Sequence, residues 1–531
     1  MSALAGTGSL VRLAMRRSRI LLVVWTYVFV ATAWAGGATL KSLYPTVQSR
    51  VEAAASNNRT TAIVAMYGRV YDPTALGNTQ AMLKTLVFGA VLVAVLTIIV
   101  TVRHTRAEEE AGRLELLGAT VVGRYAPLTA ALLVAVILNL VIGALAAVVF
   151  TISGLPASGS VAAGLAWVGV GLAFAAITAV IVQVTSSART AVGLSSAVLG
   201  AVYLIRAIGD TSDAGGPRWL SWLSPIGWSQ QFRPYAGNRW WVLLITLGFA
   251  VVVTMGAYAL VAKRDIGAGL LPDRLGPAGS TRLRSPFALA WRLQRGLLFG
   301  WVAGAAVLGS ALGGIASNIG DMANSQSARD IFTRLGGTQA LTEAFLAAEF
   351  GFVGVFISVY GVQAAMRLRT EETAQRAEPL LATRVGRTRW ALSHISIALI
   401  GTTAIVVGGG LTAGLSYGAT VHDMGQVGRL VGAALVQLPA SWVFTGIVVA
   451  ALGLAPRLVM VGWAALVAFL LLGELGPVFK LDQSVMDLSP YAHVPKLPAA
   501  AMNVTPVAWL LAVALALTAA GLVGLRRRDI G

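Results

Sequence analysis

The sequence predicts an all-α polytopic membrane protein of about twelve transmembrane helices, arranged as two parallel six-helix repeats. Three observations carry this. The 531 residues are 56% hydrophobic and only 12% charged, against about 25% charged in a soluble domain, and mean hydropathy is +0.76. Apolar runs near the roughly 20 residues that cross a bilayer recur along the whole chain. The pattern of the first half also returns, in order, in the second.

Hydropathy places spans near 20–38, 83–102, 126–151, 161–185, 190–208 and 241–262, then 297–318, 344–366, 390–417, 427–454, 456–474 and 506–525. With the N-terminus inside, 26 of the 40 Lys and Arg but only 10 of the 22 acids lie on the cytoplasmic side. The positive-inside rule then sets both termini cytoplasmic, in a multi-pass plasma-membrane protein. The formal charge of +18 reflects this topology rather than nucleic-acid binding.

The opening "MRRSRILLVVW" followed by "ATAWAG" mimics a cleavable signal peptide. The second half argues against cleavage, because Ala14, Arg16, Arg19, Leu21, Leu22 and Trp25 are echoed by Ala290, Arg292, Arg295, Leu297, Leu298 and Trp301. An internal copy cannot be a signal peptide, so the first is expected to remain as a span. "GNTQA" at 77–81 returns as "GGTQA" at 336–340, "LSP" at 223–225 returns at 488–490, and "KRDIG" at 263–267 returns as "RRDIG" at 527–531. An even number of spans per half gives both halves one orientation. The expected domains are 1–267 and 286–531, joined by the Gly/Pro-rich basic linker 268–285. The larger external segments, 39–82, 209–240, 319–343 and 475–505, are too short for a substantial extracellular domain.

The most charged repeat is "RAEEEAGRLELLGATVVGR" at 106–124, matched by "RTEETAQRAEPLLATRVGR" at 369–387. Each copy falls in the cytoplasmic loop between the second and third span of its half. Glu109 with Arg113, and Glu372 with Arg376, have the spacing of favourable i,i+4 pairs. Leu114, Leu117 and Val121 recur at helical spacing on another face. The pattern predicts a short amphipathic helix at the membrane surface. It is either a solvated loop helix with local ion pairs or a docking element for a cytoplasmic partner with two equivalent sockets. Local pairs at about 0.2–0.5 kcal/mol each do not explain why one charge pattern stands in both halves, which favours docking.

Other chemistry is thinly represented. There is no cysteine, so no disulfide, thiolate metal site or Cys nucleophile. His104, His394, His422 and His493 lack ligand-like spacing. No GxxxxGK[ST] loop is present, so ATP hydrolysis is not expected on this chain. Charges in or at the ends of spans are functional candidates. Glu349 lies in span eight, and Arg206 and Glu474 end the fifth and eleventh spans, as a paired gate or as separate headgroup-level charges. Asn139, Gln183 and Gln437 are suited to tying helices together. The aromatic segment 219–241 contains Trp222, Trp228 and Pro225. Much of it fits an interfacial girdle, and its counterpart around Pro490 has lost most of the aromatics. The Ala-, Val-, Leu- and Gly-rich walls suit a hydrophobic or amphipathic substrate.

Through the two charged segments, the paired LSP sequences and the two RDIG tags, essentially the whole chain resembles ABC-2-type exporter permeases. It is most similar to the duplicated permeases of actinobacterial polyketide-antibiotic (tetronasin-type) and multidrug exporters. The resemblance implies that the charged segments are coupling helices seated in two separate nucleotide-binding ATPase subunits, which carry ATP and Mg. Arg106, Glu108, Glu109, Arg113 and Glu115, with Arg369, Glu371, Glu372, Arg376 and Glu378, would make those contacts. The basic stretches Arg12–Arg19 and Arg284–Arg295 would be interfacial connecting helices. Pro225 and Pro490 would break re-entrant helices closing an external exit. Export by alternating access follows. Pro379 stands where the first copy has Leu116 and is expected to shorten the second helix, which puts the equivalence of the two sites in doubt. The competing expectation is a proton-coupled secondary transporter of 6+6 helices, although a glutamate-rich helix replaces the loop signature of the major facilitator family.

Overall fold

The computed structural model describes the chain apart from residues 1, 44–45, 81–84, 115–121, 213–215, 266, 272–279, 281–282, 323–336, 476–481 and 529–531. At 35–43, 62, 79–80, 317–322, 337–341, 471 and 473–475 only the backbone is described. Contact clustering divides the chain into two compact units, Met1–Gly276 and Pro277–Gly531. All regular structure among the described residues is helical.

In the first unit α1 is Thr7–Leu43, α2 Val47–Arg59, α3 Thr61–Tyr67, α4 Leu76–Gln80, α5 Leu86–Arg103 and α6 Arg106–Glu110. Then follow α7 Ala126–Ile152, α8 Ala157–Val184, α9 Ala188–Thr211, α10 Pro225–Gln231 and α11 Val242–Val261. In the second unit α12 is Pro286–Met322, α13 Gly337–Ala365, α14 Arg367–Thr373, α15 Glu378–Leu381 and α16 Arg387–Val421. It continues with α17 Gly425–Leu435, α18 Leu438–Leu454, α19 Val461–Leu475, α20 Gln483–Met486 and α21 Val504–Arg527.

Ten helices among the described residues are long and apolar enough to cross a membrane. The expected first span lies on α1, part of whose side chains is outside the described residues. The expected eleventh lies on α19, where the apolar stretch Val461–Leu470 is shorter.

The first unit is built around α8, which packs against α5, α7 and α11. Small residues let these backbones approach closely, as in other membrane helix pairs. A Cβ on Gly164 would lie 2.3 Å from the Gly143 carbonyl oxygen, so α7 and α8 cross where neither can carry a side chain. Trp167 of α8, 1% exposed, fills the space above Gly89 of α5. Its indole N–H donates to the Leu86 carbonyl at 2.9 Å, so its one polar atom is satisfied in the core. Asn139 of α7 donates to the Thr97 hydroxyl of α5 at 3.1 Å, the helix-tying role its sequence position suggested.

The second unit repeats these pairings. The counterpart of α8 there is α18, which packs on α13 and α21, while α12 lies along α16. The crossings again rest on glycine: a Cβ on Gly309 would meet the Gly409 carbonyl at 2.1 Å, and one on Gly453 the Gly521 carbonyl at 2.0 Å.

Segments 47–80 and 206–240 weave into a polar cap on the first unit. Asn78 accepts from the Tyr71 and Asp72 amides at 3.0 Å and donates to the Pro234 carbonyl at 2.9 Å. Asn58 closes a two-way bond with the backbone of Val70 at 2.9 Å. Each bond supplies a partner to loop backbone that would otherwise be left unpaired.

Candidate functional site

The charged segment is not one amphipathic helix. In the first unit α6 ends at Glu110, and Gly112 turns the chain at φ +68°. In the second, α14 ends at Thr373 and Gln375 takes φ +55°. Gly112 and Gln375 occupy matching places in the two copies, so the same left-handed turn interrupts both. Glycine reaches that conformation without steric cost, whereas glutamine does not. The second correction concerns Pro379. It sits in the first turn of α15, a position proline suits because the missing N–H would have no partner there. It therefore starts a helix instead of kinking one.

The expected pairs Glu109–Arg113 and Glu372–Arg376 do not form, because the turn takes Arg113 and Arg376 off the helix face. Arg113 pairs with Glu108 at 2.6 Å instead, and this bond raises the guanidinium's pKa. Arg17 of α1 reaches the same carboxylate at 2.7 Å. Glu109 is held by Arg106 at 2.6 Å and by Arg264 at 2.5 Å. Glu372 is held by Arg369 at 3.2 Å and by Arg528 at 2.7 Å. Glu371 pairs with Arg367 at 2.6 Å. Glu115 lies outside the described residues.

In the first unit these contacts lock α6 to α1, α8, α9 and the end of α11. Arg106, fully buried, donates to the Val182 carbonyl near the end of α8 at 3.1 Å through Nε and to the Ala268 carbonyl at 3.3 Å. Glu110 accepts from the Ala188 amide at 3.0 Å, placing a carboxylate on the N-terminus of α9, where the helix dipole favours it. Arg264 ties in the end of α11 and also bonds the Gln183 side chain at 2.6 Å. In the expected linker, Leu270 and Leu271 donate to the Gln183 and Val184 carbonyls at 3.0 and 3.1 Å. The second copy is more open, since the Arg369 side chain is 29% exposed where that of Arg106 is 0%. The expected connecting stretch Arg12–Arg19 is the N-terminal part of α1, and most of Arg284–Arg295 opens α12.

Among the described residues the exposed charges of the two segments lie mostly after each turn, with Glu110 of α6 exposed before it. Arg113 is exposed in the first unit, and Arg376, Glu378 and Arg384 in the second. The side chains of Glu109 and Glu372, 8% and 2% exposed, face inward. Arg384 was not singled out from the sequence, because its place in the first copy is held by an uncharged residue.

The expected gate residues are placed as follows. Arg206 is fully buried and bound within its own unit, to Asp210 at 3.4 Å and to the Ala65 carbonyl. It is thus not an isolated headgroup-level charge. Only the backbone of Glu474 is described. Glu349 is half-buried on α13 and has a partner. Pro225 opens α10 behind the cap Ser224, and Pro490 opens a 3-10 turn at 490–493. Trp228 is core, 7% exposed, and donates to the Trp222 carbonyl at 2.6 Å. Trp222 stacks on Trp241 with ring centroids 5.4 Å apart. Trp219, Trp240 and Trp241 are the exposed tryptophans of this segment.

A family model described as "Multidrug efflux system permease Rv1217c, C-terminal domain" matches residues 8–261 and 283–526. The chain is 43% identical over 537 aligned residues to the multidrug efflux system permease protein Rv1217c of Mycobacterium tuberculosis (strain ATCC 25618 / H37Rv). The alignment covers 100% of this chain and 96% of that protein. The chain belongs to the family of Rv1217c-type multidrug efflux system permeases.

Proposed function

We propose that this member of the family is the membrane permease of an ATP-driven exporter. It moves hydrophobic or amphipathic compounds out of the cytoplasm or inner leaflet by alternating access. Two six-span halves of one orientation, with both termini cytoplasmic, form the transport body in the plasma membrane. ATP and Mg are held by two separate ATPase subunits that dock on the loops carrying α6 and α14. The single observation that carries this reading is the double occurrence of the charged segment. In each unit its first turn is bolted into the helix framework by a buried ion pair, and exposed charges follow the break. A loop built only to be solvated has no need of such anchoring.

The test is co-purification. The chain is tagged and co-expressed with a candidate ATPase subunit, then isolated through the tag. A stable complex with ATPase activity stimulated by a lipophilic dye is expected. A chain that purifies alone under every nucleotide condition counts against the proposal.

A further inference from the structure

The RDIG tags lack an evident role in docking, yet the structure places the arginine of each, Arg264 and Arg528, against a charged segment. Arg264 grips Glu109 with both guanidinium nitrogens, at 2.9 and 2.5 Å. Arg528 holds Glu372 by one hydrogen bond at 2.8 Å, with its other terminal nitrogen 2.7 Å from the second carboxylate oxygen. The four side chains are largely buried, from 2% to 18% exposed. At Glu109 two parallel bonds from a planar guanidinium fix direction as well as distance, which a lysine could not do.

A second fastening lies at the other end of each segment. Arg124 donates to the Val261, Ala262 and Arg264 carbonyls at 3.0, 3.0 and 3.1 Å. Arg387 donates to the Arg526 and Arg528 carbonyls at 3.3 and 2.7 Å. These carbonyls lie at or just past the ends of α11 and α21, where helix geometry leaves acceptors without partners. The loop between the second and third spans is thus tied at both ends to the last span of its own unit, and this holds in both units.

The helices so tied are lightly packed. Only 17% of the membrane-length stretch of α11 is buried, and 22% of that of α21. Each leans chiefly on one deeply buried partner, α11 on α8 and α21 on α18. The membrane-length stretch of α8 is 78% buried, and so is that of Gly425–Leu454, which comprises α17 and α18.

We infer that Glu109–Arg264 and Glu372–Arg528 are transmission clamps, which carry a load applied to the exposed loop into α11 and α21. The inference rests on the proposed function, since the load comes from the docked ATPase. The four residues are positioning residues that act through the last span and do not touch substrate.

The absence of cysteine makes a direct readout possible. Met255 of α11 is 65% exposed, so Met255→Cys can carry a fluorescent label in the full chain co-expressed with the ATPase subunit. A nucleotide-dependent change of label signal is expected in the parent. E109R should reduce dye efflux at least tenfold and abolish the signal change, with the amount of co-purified ATPase within twofold of the parent. The swap E109R/R264E should restore at least half of both. E109Q, which keeps the shape of the side chain, serves as the milder variant if E109R is poorly folded, and should also lose the signal change. A full signal change in E109Q, or efflux in E109R within twofold of the parent, overturns the clamp. A parent whose efflux ignores ATP overturns the proposed function instead, and is recognised before any variant is read.

Discussion

Replacing Arg206 by methionine is expected to lower the stability of the first unit by about 3–5 kcal/mol, the cost of leaving one member of a buried ion pair alone. Asp210 would keep the Ser221 hydroxyl at 2.5 Å but lose the cation paired with its carboxylate. The carbonyls of Ala65 and Met66, which Arg206 holds, would lose a donor, and the guanidinium's seat on the Tyr203 ring, 4.5 Å from the centroid, would be vacated. Because the Arg206 side chain is fully buried, solvent does not screen the effect. Thermal unfolding in detergent should fall on the order of 10 °C. Proteolysis should appear first in α2 and α3, the part of the cap that Arg206 holds down. The double variant R206M/D210L should regain much of the loss, since an apolar pair can replace a buried ion pair at little cost. A single variant as stable as the parent would show that Arg206 does not bolt the cap.

Reversing the exposed charges after the second turn is the functional counterpart. R376E/E378R/R384E changes side chains that are exposed and lack ion pairs among the described residues. Surface changes of this kind usually shift stability by no more than about 0.5 kcal/mol. The thermal midpoint should therefore hold, while ATPase recovered with the tagged chain falls about tenfold, equivalent to about 1.4 kcal/mol of binding. Charge complementarity steers and registers such contacts. An unchanged yield of ATPase would move the docking surface elsewhere. In the first unit R113E should act more weakly, because Arg113 also serves Glu108.

Much of the architecture was legible because membrane spans and internal repeats are periodic signals. The two charged segments, the LSP sequences and the RDIG tags could all be matched from the sequence. Their contacts could not be. Nothing local in the sequence says that Glu109 meets Arg264, a residue 155 positions away, or that Glu372 meets Arg528. That knowledge depends on how the helix ends pack. The turn at Gly112 carried a signal in its glycine, but Gln375 gave no comparable warning. Helical spacing suggested the Glu109–Arg113 pair and was overruled by that turn. The partner of Arg206 was in reach, because Asp210 stands four positions on, a helical neighbour.

The most direct test of the central claim is accumulation of a lipophilic dye in everted membrane vesicles that contain the chain and the ATPase subunit. The account predicts accumulation that requires hydrolysable ATP, persists when a protonophore collapses the proton gradient, and disappears in the R376E/E378R/R384E variant. Accumulation that needs no ATP and stops with the protonophore would contradict it and identify a proton-coupled transporter.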